Sequence, residues 1–292
     1  MKLNRLTKLL ASAGVLLAVS WGAQAAVTLD LTTAGATGAI GAGTYTQVGP
    51  QPTGTGYINS FVRISAANQD LVQGYNTTVN NVFDNVSSDQ FDHEITVGQV
   101  GLLNIGTIAT PINVMRFLLD INQTGADPLL NLDEVQIFIS TVANQSIESF
   151  TGTGLVDLAS SFLVYRMDDA ANDNKVTLNY SLETGSGSGD MILDITEASL
   201  NAAFAAAGLV TNAAKNAAFI YLYSSFGSAP NNNNDGFEEW AHAVGGAIGE
   251  PPCVPTPLNP CGPVDIPEPG SIALVGLGLV GAGIATRRRR QV

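Results

Sequence analysis

Six apolar runs of five to eight residues, at 117–121, 135–139, 162–166, 176–182, 191–195 and 219–226, are spaced by clusters of Gly, Asn, Asp and Ser. Runs this short, with frequent turn residues between them, predict strands rather than long helices. Val176-Thr-Leu-Asn-Tyr-Ser-Leu182 alternates, placing Val176, Leu178, Tyr180 and Leu182 on one face. Phe219, Tyr221 and Tyr223 share a face in the same way. Asn131-Leu-Asp-Glu134 and Gly185-Ser-Gly-Ser-Gly189 read as turns between strands. The fold class expected is mainly β, an antiparallel, jelly-roll-like β-sandwich over residues 26–248. The Gly/Thr/Ala-rich stretch of about 30 residues after Ala25 reads as an edge strand or as partly disordered.

A helical insertion near 197–218 breaks the pattern. Thr196 stands where a cap belongs, Glu197 to Ala207 is alanine-rich, and Gly208 is the expected stop, with a further turn over 212–218.

The two ends carry a different signal. Lys2, Arg5 and Lys8 precede the apolar stretch 9–21, and Ala23-Gln24-Ala25 is an A-x-A cleavage site. Residues 1–25 therefore read as a signal peptide, with cleavage between Ala25 and Ala26. At the other end come Pro267-Glu268-Pro269, the apolar span 271–286, and Arg287, Arg288, Arg289 and Arg290. Basic residues flanking apolar spans stay on the cytoplasmic side, so both ends start inside and the region between them is exported. As a single membrane helix the 16 residues of the span reach about 24 Å, against about 30 Å of hydrocarbon. Such a helix holds a precursor but anchors poorly. Gly276-Leu-Gly278-Leu-Val-Gly281 imitates a dinucleotide-binding fingerprint, but it follows Pro-Glu-Pro rather than a strand, and nucleotide binding is rejected.

The ordered set over 266–292 resembles the PEP-CTERM sorting signal of Gram-negative bacterial surface proteins. The resemblance implies a transient encounter with an exosortase, after passage through the secretion machinery. It also implies cutting near Pro267-Glu268-Pro269, and a mature form at the cell surface or in the extracellular matrix. An ordinary tail anchor is the alternative.

Charge is lopsided. Residues 26–250 hold 23 acidic and 5 basic groups, a net of −18. That surface repels nucleic acid and anionic lipid and suits divalent cations or plain solubility. The two cysteines, Cys253 and Cys261, fall in the Pro-rich linker 249–265. In an oxidising compartment a small disulfide loop stiffening that linker is expected, with free or intermolecular thiols as the alternative.

Signs of catalysis are sparse. His93 and His242 are the only histidines, and each reads as a surface or packed residue. At 185–189 a glycine holds the place that a nucleophile elbow gives to serine. No organic cofactor is expected; structural calcium is the one candidate. Asn231, Asn233 and Asp235 before Gly236, with Glu238 and Glu239 behind, resemble the start of an oxygen-ligand loop. An EF-hand would need Glu where His242 stands. A second cluster is Asp120, Asn122, Asp127, Asp133 and Glu134. A third is Asp168, Asp169, Asn172, Asp173 and Asn174. Solvated turn chemistry is the competing account of all three. Tyr221, Tyr223, Phe226, Phe237 and Trp240 cluster late in the domain, and Trp240 is the candidate carbohydrate contact, with core packing as its rival.

Gln73-Gly-Tyr-Asn76, Leu118-Leu-Asp-Ile-Asn-Gln123, Leu132-Asp-Glu-Val-Gln-Ile-Phe138, Gly185-Ser-Gly-Ser-Gly-Asp190, Tyr221-Leu-Tyr-Ser-Ser-Phe-Gly227 and Asn234-Asp-Gly-Phe-Glu-Glu-Trp-Ala241 resemble a recurring ectodomain of exosortase substrates. The resemblance spans most of 55–243 and implies one intact domain without naming an activity. The alanine-rich stretch 198–218 departs from it. The reading that results is a non-enzymatic surface or matrix protein associating with exopolysaccharide. A secreted glycan hydrolase and an architectural protein-binding module are the rivals.

Overall fold

The computed structural model describes residues 25–248, apart from 49–59, 66–68, 87–89, 108, 170 and 185–188. The expected signal peptide to residue 24, the expected Cys253–Cys261 loop, the expected membrane span, Pro267-Glu268-Pro269, Arg287 to Arg290 and most of the expected turn at Gly185–Gly189 fall outside the described residues. No described helix is long and apolar enough to cross a membrane.

In chain order the strands are β1 (Thr28–Asp30), β2 (Thr37–Ile40), β3 (Gly43–Gln47), β4 (Ser60–Ile64), β5 (Val72–Tyr75) and β6 (Ile95–Thr96). After the short helix α1 (Val97–Val100) come β7 (Leu103–Asn104), β8 (Asn113–Asp120), β9 (Leu129–Ser140), β10 (Ser161–Arg166), β11 (Lys175–Asn179) and β12 (Met191–Thr196). Helices α2 (Glu197–Ala206) and α3 (Asn212–Ala217) precede β13 (Phe219–Phe226) and β14 (Glu238–His242).

These strands form two seven-stranded sheets. The first runs β1-β11-β9-β13-β5, with β10 also on β9 and β6 also on β13. The second runs β2-β3-β12-β8-β14-β4, with β7 also on β8. All pairings are antiparallel except β1 on β11. The chain passes back and forth between the sheets, and both contribute to one apolar cluster. Ile220, Leu222, Val135, Ile137 and Ile139 come from the first; Met115, Phe117, Leu119, Leu193, Ile195 and Trp240 come from the second. The segment read as an edge strand or disordered holds three strands, and β1 and β2 do stand at the ends of their sheets.

Period-2 alternation explains which face each residue takes. In β13, Ile220 and Leu222 face the shared core, while Tyr221 and Tyr223 join a second cluster with Tyr75 and Phe138 on the opposite face. Three expectations need correction. Asn131-Leu-Asp-Glu134 is not a turn but lies inside β9, because Asn131 and Leu132 pair with Thr177 and Val176 of β11. The predicted strand to Leu182 stops at Asn179 and continues as a short 3₁₀ turn, Tyr180–Leu182. Asn179 faces Leu129, where β9 begins, so the ladder ends there, and the Asn179 side chain accepts from the Ser181 N–H at 3.0 Å. Thr196 sits at the N-cap of α2 but makes no capping hydrogen bond; its hydroxyl lies 3.3 Å from that of Ser199.

Helix α2 ends one residue earlier than expected, with Gly208 at φ +69° behind it. It buries Leu200, Ala203 and Phe204, an i, i+3, i+4 face. Thr211 caps α3, accepting from the Ala214 N–H at 3.2 Å.

Candidate functional site

A groove of about 330 Å³ opens on the first sheet, with Gln73, Asp133, Asp173, Lys175, Tyr223 and Ser228 among its walls and Leu71 beside them, 60% exposed. Asp133 reaches it through a bulge. Ser225 of β13 pairs with Glu134 and Phe226 with Leu132, so Asp133 is skipped. An extra residue in one strand re-aims its side chain. The core-facing set of β9 accordingly changes parity, from Leu130 and Leu132 to Val135, Ile137 and Ile139.

Ser228 follows the end of β13, and its hydroxyl and backbone N–H both donate to the Asp133 carboxylate, the latter at 2.7 Å. Lys175, the first residue of β11, donates to Ser228 Oγ at 2.8 Å. Its ammonium also lies 3.9 Å from Asp133 and 3.6 Å from Asp173. Asn131 steadies the arrangement, giving Nδ2–H to the Ser228 carbonyl at 2.9 Å and accepting at Oδ1 from Asn231 and Thr177, each at 3.0 Å. Burial pushes the Asp133 carboxyl up from the usual aspartate range, against the pull of Ser228 and Lys175. The groove thus offers two carboxylates, an ammonium, a hydroxyl and an amide beside apolar Val72 and Phe226.

The expected calcium residues separate into different jobs. Asn231 is spent on Asn131, and Asp235 accepts from the N–H of Gly236. Glu239 takes Arg63 Nε at 2.6 Å and the Ser60 hydroxyl at 2.9 Å. Asp127 presents its backbone carbonyl to Asn234 Nδ2. Glu134 binds Arg166 at 3.1 Å, although burial still pushes its carboxyl up. The third cluster is loop chemistry. Asp169 accepts from the N–H groups of Ala171 and Asn172, Asp168 accepts from that of Asn174, and Asn174 holds the Val27 N–H.

Asp120, Asn122, Asn233 and Glu238, read as parts of two separate clusters, meet at one end of the second sheet together with Gln123 and Asp190. Burial lifts Asp190 to about 8 and raises Glu238 well above its usual range. Among the described residues no group of three or more His, Cys, Asp or Glu is already arranged to hold a metal.

Trp240 is 0% exposed, and its indole donates to Ser224 Oγ at 3.0 Å. A ring closed inside the core offers no face to a sugar, so carbohydrate contact through Trp240 is withdrawn. Tyr221, Tyr223 and Phe226 are buried too; only Phe237 of that set is exposed, at 40%, beside Phe91, which stacks on the Arg63 guanidinium at 3.5 Å. His242 packs edge-on against Phe61, and burial lowers its pKa, with His93 close enough to add to the effect.

Ser228 belongs to no motif, and Gln123 and Asp190 stood only at the ends of segments quoted for a resemblance, with no role given to either. Asp190 had one signal, a carboxylate directly before an apolar run.

Asp92 yields a pH prediction. Burial pushes its carboxyl up to about 8, against hydrogen bonds from the Thr77 N–H and from Asn85. An unfolded aspartate titrates near 3.9. The native state then holds a proton that the unfolded chain has lost, so this contribution is full below about pH 4 and disappears as pH rises through about 8. Denaturant titrations across that window should show Asp92→Asn losing less stability towards pH 8 than the unsubstituted chain does. Parallel curves would refute the assignment.

A family model described as the PEP-CTERM protein-sorting motif matches residues 265–290. The chain is accordingly an exported protein carrying an exosortase sorting signal, with exosortase as a transient processing partner. No curated protein and no solved structure matches the chain.

Proposed function

We propose that the exported domain is a non-enzymatic module that associates with exopolysaccharide at the cell surface, using the groove around Lys175. On this reading residues 1–25 are removed on export, and 26–248 form a jelly-roll-like sandwich. Residues 249–265 make a stalk closed by Cys253 and Cys261, and cutting near Pro267-Glu268-Pro269 discards the span and its arginines.

The observation that carries the reading is the donor and acceptor set at the groove. Sugar rings present hydroxyls that both donate and accept, together with apolar C–H faces. Asp133 and Asp173 accept, Lys175 donates, Gln73 and Ser228 do both, and Val72 and Leu71 supply apolar surface. The volume lies at the small end of ligand sites, enough for a sugar unit or two of a longer chain.

The test is co-sedimentation of the protein with the exopolysaccharide of its own source cells. Losing a charged hydrogen bond is worth about 1.5–3 kcal/mol, so Lys175→Ala should weaken retention by about 10- to 100-fold with the melting temperature little changed. Retention that is absent, or indifferent to Lys175→Ala, would remove the reading.

A hydrolase is the second reading, favoured by one observation. Asp133 and Asp173 share Lys175 in a single groove, and paired carboxylates across a groove are what glycoside cleavage uses. Release of new reducing ends that stops with Asp133→Asn would establish it.

A further inference from the structure

A second cavity, of about 160 Å³, lies where the domain begins. Ala25 and Val27 line it, together with Ile40 and Gly41 at the end of β2 and with Asp168 and Asn174 from the loop between β10 and β11.

The chain that enters this cavity is tied down. β1 lies parallel on β11 at the end of its sheet. Just before it, Val27 donates its N–H to Asn174 Oδ1 at 2.8 Å and accepts from the Lys175 N–H at 2.9 Å. Asn174 in turn donates its backbone N–H to Asp168 Oδ1 and its side-chain amide to the Met167 carbonyl, each at 2.7 Å. One residue therefore fixes both the approach to β1 and the Asp168 carboxylate. Ile40 is held through its carbonyl, which accepts from the Tyr165 hydroxyl at 3.1 Å.

Asp168 has no cation of its own. Its Oδ1 takes the Asn174 N–H, and no donor among the described residues reaches Oδ2. Arg166 is turned elsewhere, giving Nε to Glu134 at 3.1 Å and Nη1 to the Thr153 carbonyl at 2.8 Å. The other four basic side chains of the domain are engaged at a distance: Arg63 on Glu239, Arg116 on Asp194, Lys175 on Asp133 and Asp173, and Lys215 on the Phe204 ring. Burial, with Glu134 close by, pushes the Asp168 carboxyl up to about 7, and Arg166 pulls against this only weakly. A positive charge set beside the carboxylate would favour its ionised form.

The cut after Ala25 creates such a charge. Hydrolysis adds water across the Ala25–Ala26 bond. The carboxylate leaves with Ala25, and the amine left on Ala26 takes up a proton, since an α-amino group has a pKa of about 7.7–8.0. In the uncut chain that nitrogen is an amide bonded to Ala25, one lining residue, and its own residue precedes Val27, another. It therefore stands at the cavity wall, and removing Ala25 opens the space beside it.

We propose that this cavity is an ammonium-binding site whose occupant is the chain's own mature N terminus, the α-ammonium of Ala26 pairing with the Asp168 carboxylate. The proposal rests on cleavage between Ala25 and Ala26. The pair ties the first mature residue to the loop between β10 and β11 and so secures β1, an edge strand of only three residues. An uncut precursor has a neutral amide at the same place and no charge to offer. The edge strand is accordingly held more firmly after cleavage than before it.

The experiment uses the protein exported under its own signal peptide, purified in mild detergent, with its first residue identified by Edman degradation. The folded protein is then treated at pH 7 with the N-hydroxysuccinimide ester of acetic acid. Only a neutral amine is acetylated, so a paired ammonium reacts slowly, and Asp168→Asn should speed acetylation of Ala26 by about 5- to 20-fold. The asparagine still accepts from the Asn174 N–H, and Lys175 and Lys215, followed in the same samples by peptide mass spectrometry, should keep their rates. In a second measurement Ala23→Leu spoils the A-x-A site and leaves the chain uncut. It should melt about 2–4 °C below the cut chain in the same detergent, and the gap should close when both carry Asp168→Asn. A first residue other than Ala26 overturns the cleavage reading and the proposal with it. Ala26 in first place, with a rate indifferent to Asp168→Asn, overturns the pairing alone. Equal melting of the cut and uncut chains does the same, and decides even if Asp168→Asn fails to fold.

Discussion

Trp240→Ala is expected to destabilise the domain by about 3–5 kcal/mol, with no selective loss of polysaccharide retention in the fraction that stays folded. Trp240 heads the fully buried side chains by volume, and it sits in β14 of the second sheet. Its Nε1–H crosses to Ser224 in β13 of the first sheet, and Ser224 is itself buried. Truncation therefore opens a cavity between the layers and strands the Ser224 hydroxyl. Trp240→Phe fills most of the cavity but still leaves the hydroxyl without its indole partner, so a loss of about 1–3 kcal/mol should remain. Urea midpoints for the two variants separate the packing contribution from the hydrogen bond. A Trp240→Ala midpoint equal to that of the unsubstituted chain, combined with lost retention, would give Trp240 the surface role that was weighed against core packing.

The rim reading of Trp240 fails for a physical reason, and the core packing set against it holds. Glu238, Glu239 and His242 flank the tryptophan, and three polar neighbours ordinarily mark a solvent-facing rim. Here Glu238 faces Gln123 and the other carboxylates, Glu239 takes Arg63 and Ser60, and His242 lies on Phe61. When both faces of a strand are covered, polarity no longer reports which face is wet. Where one face carries clean alternation the sequence is a better guide. The bounds of β13 match its apolar run, and α2 lies where the alanine-rich stretch placed it. The same local logic misreads Asn131-Leu-Asp-Glu134, since Asn and Asp are turn formers by composition. Their actual use is long-range: Asn131 brackets residues 228–231, and Asp133 is turned into the groove by a bulge that only pairing with β13 creates. The acidic cluster was half legible. Asp120, Asn122, Asn233 and Glu238 were recognised as oxygen donors in two separate clusters. Their meeting, and the arrival of Asp190, depend on the order of strands β12, β8 and β14.

Gly227→Ala should cost about 2–4 kcal/mol and abolish retention on polysaccharide, whereas Gly208→Ala should cost about 1 kcal/mol and leave retention intact. Both glycines hold a left-handed backbone, at φ +97° and φ +69°. They differ in what a methyl group would meet. At Gly208 nothing lies within 4 Å, so only conformational strain is added. At Gly227 the new carbon would fall 1.9 Å from the Asp70 carbonyl oxygen and 2.8 Å from the Asn233 nitrogen, both backbone atoms. Those two atoms are hydrogen-bonded to each other at 3.0 Å, so neither can move without breaking the tie between the 69–70 and 231–236 segments. Gly227 also donates its N–H to the Asn131 carbonyl at 2.9 Å and sets the direction in which Ser228 leaves β13 towards Asp133 and Lys175. Displacing it moves the hydroxyl that joins the acid to the base in the groove. Equal destabilisation by the two substitutions would show that backbone strain alone matters at 227. Full retention with Gly227→Ala would show that the position of Ser228 is irrelevant to binding, and that the Lys175 groove is not where the polysaccharide docks.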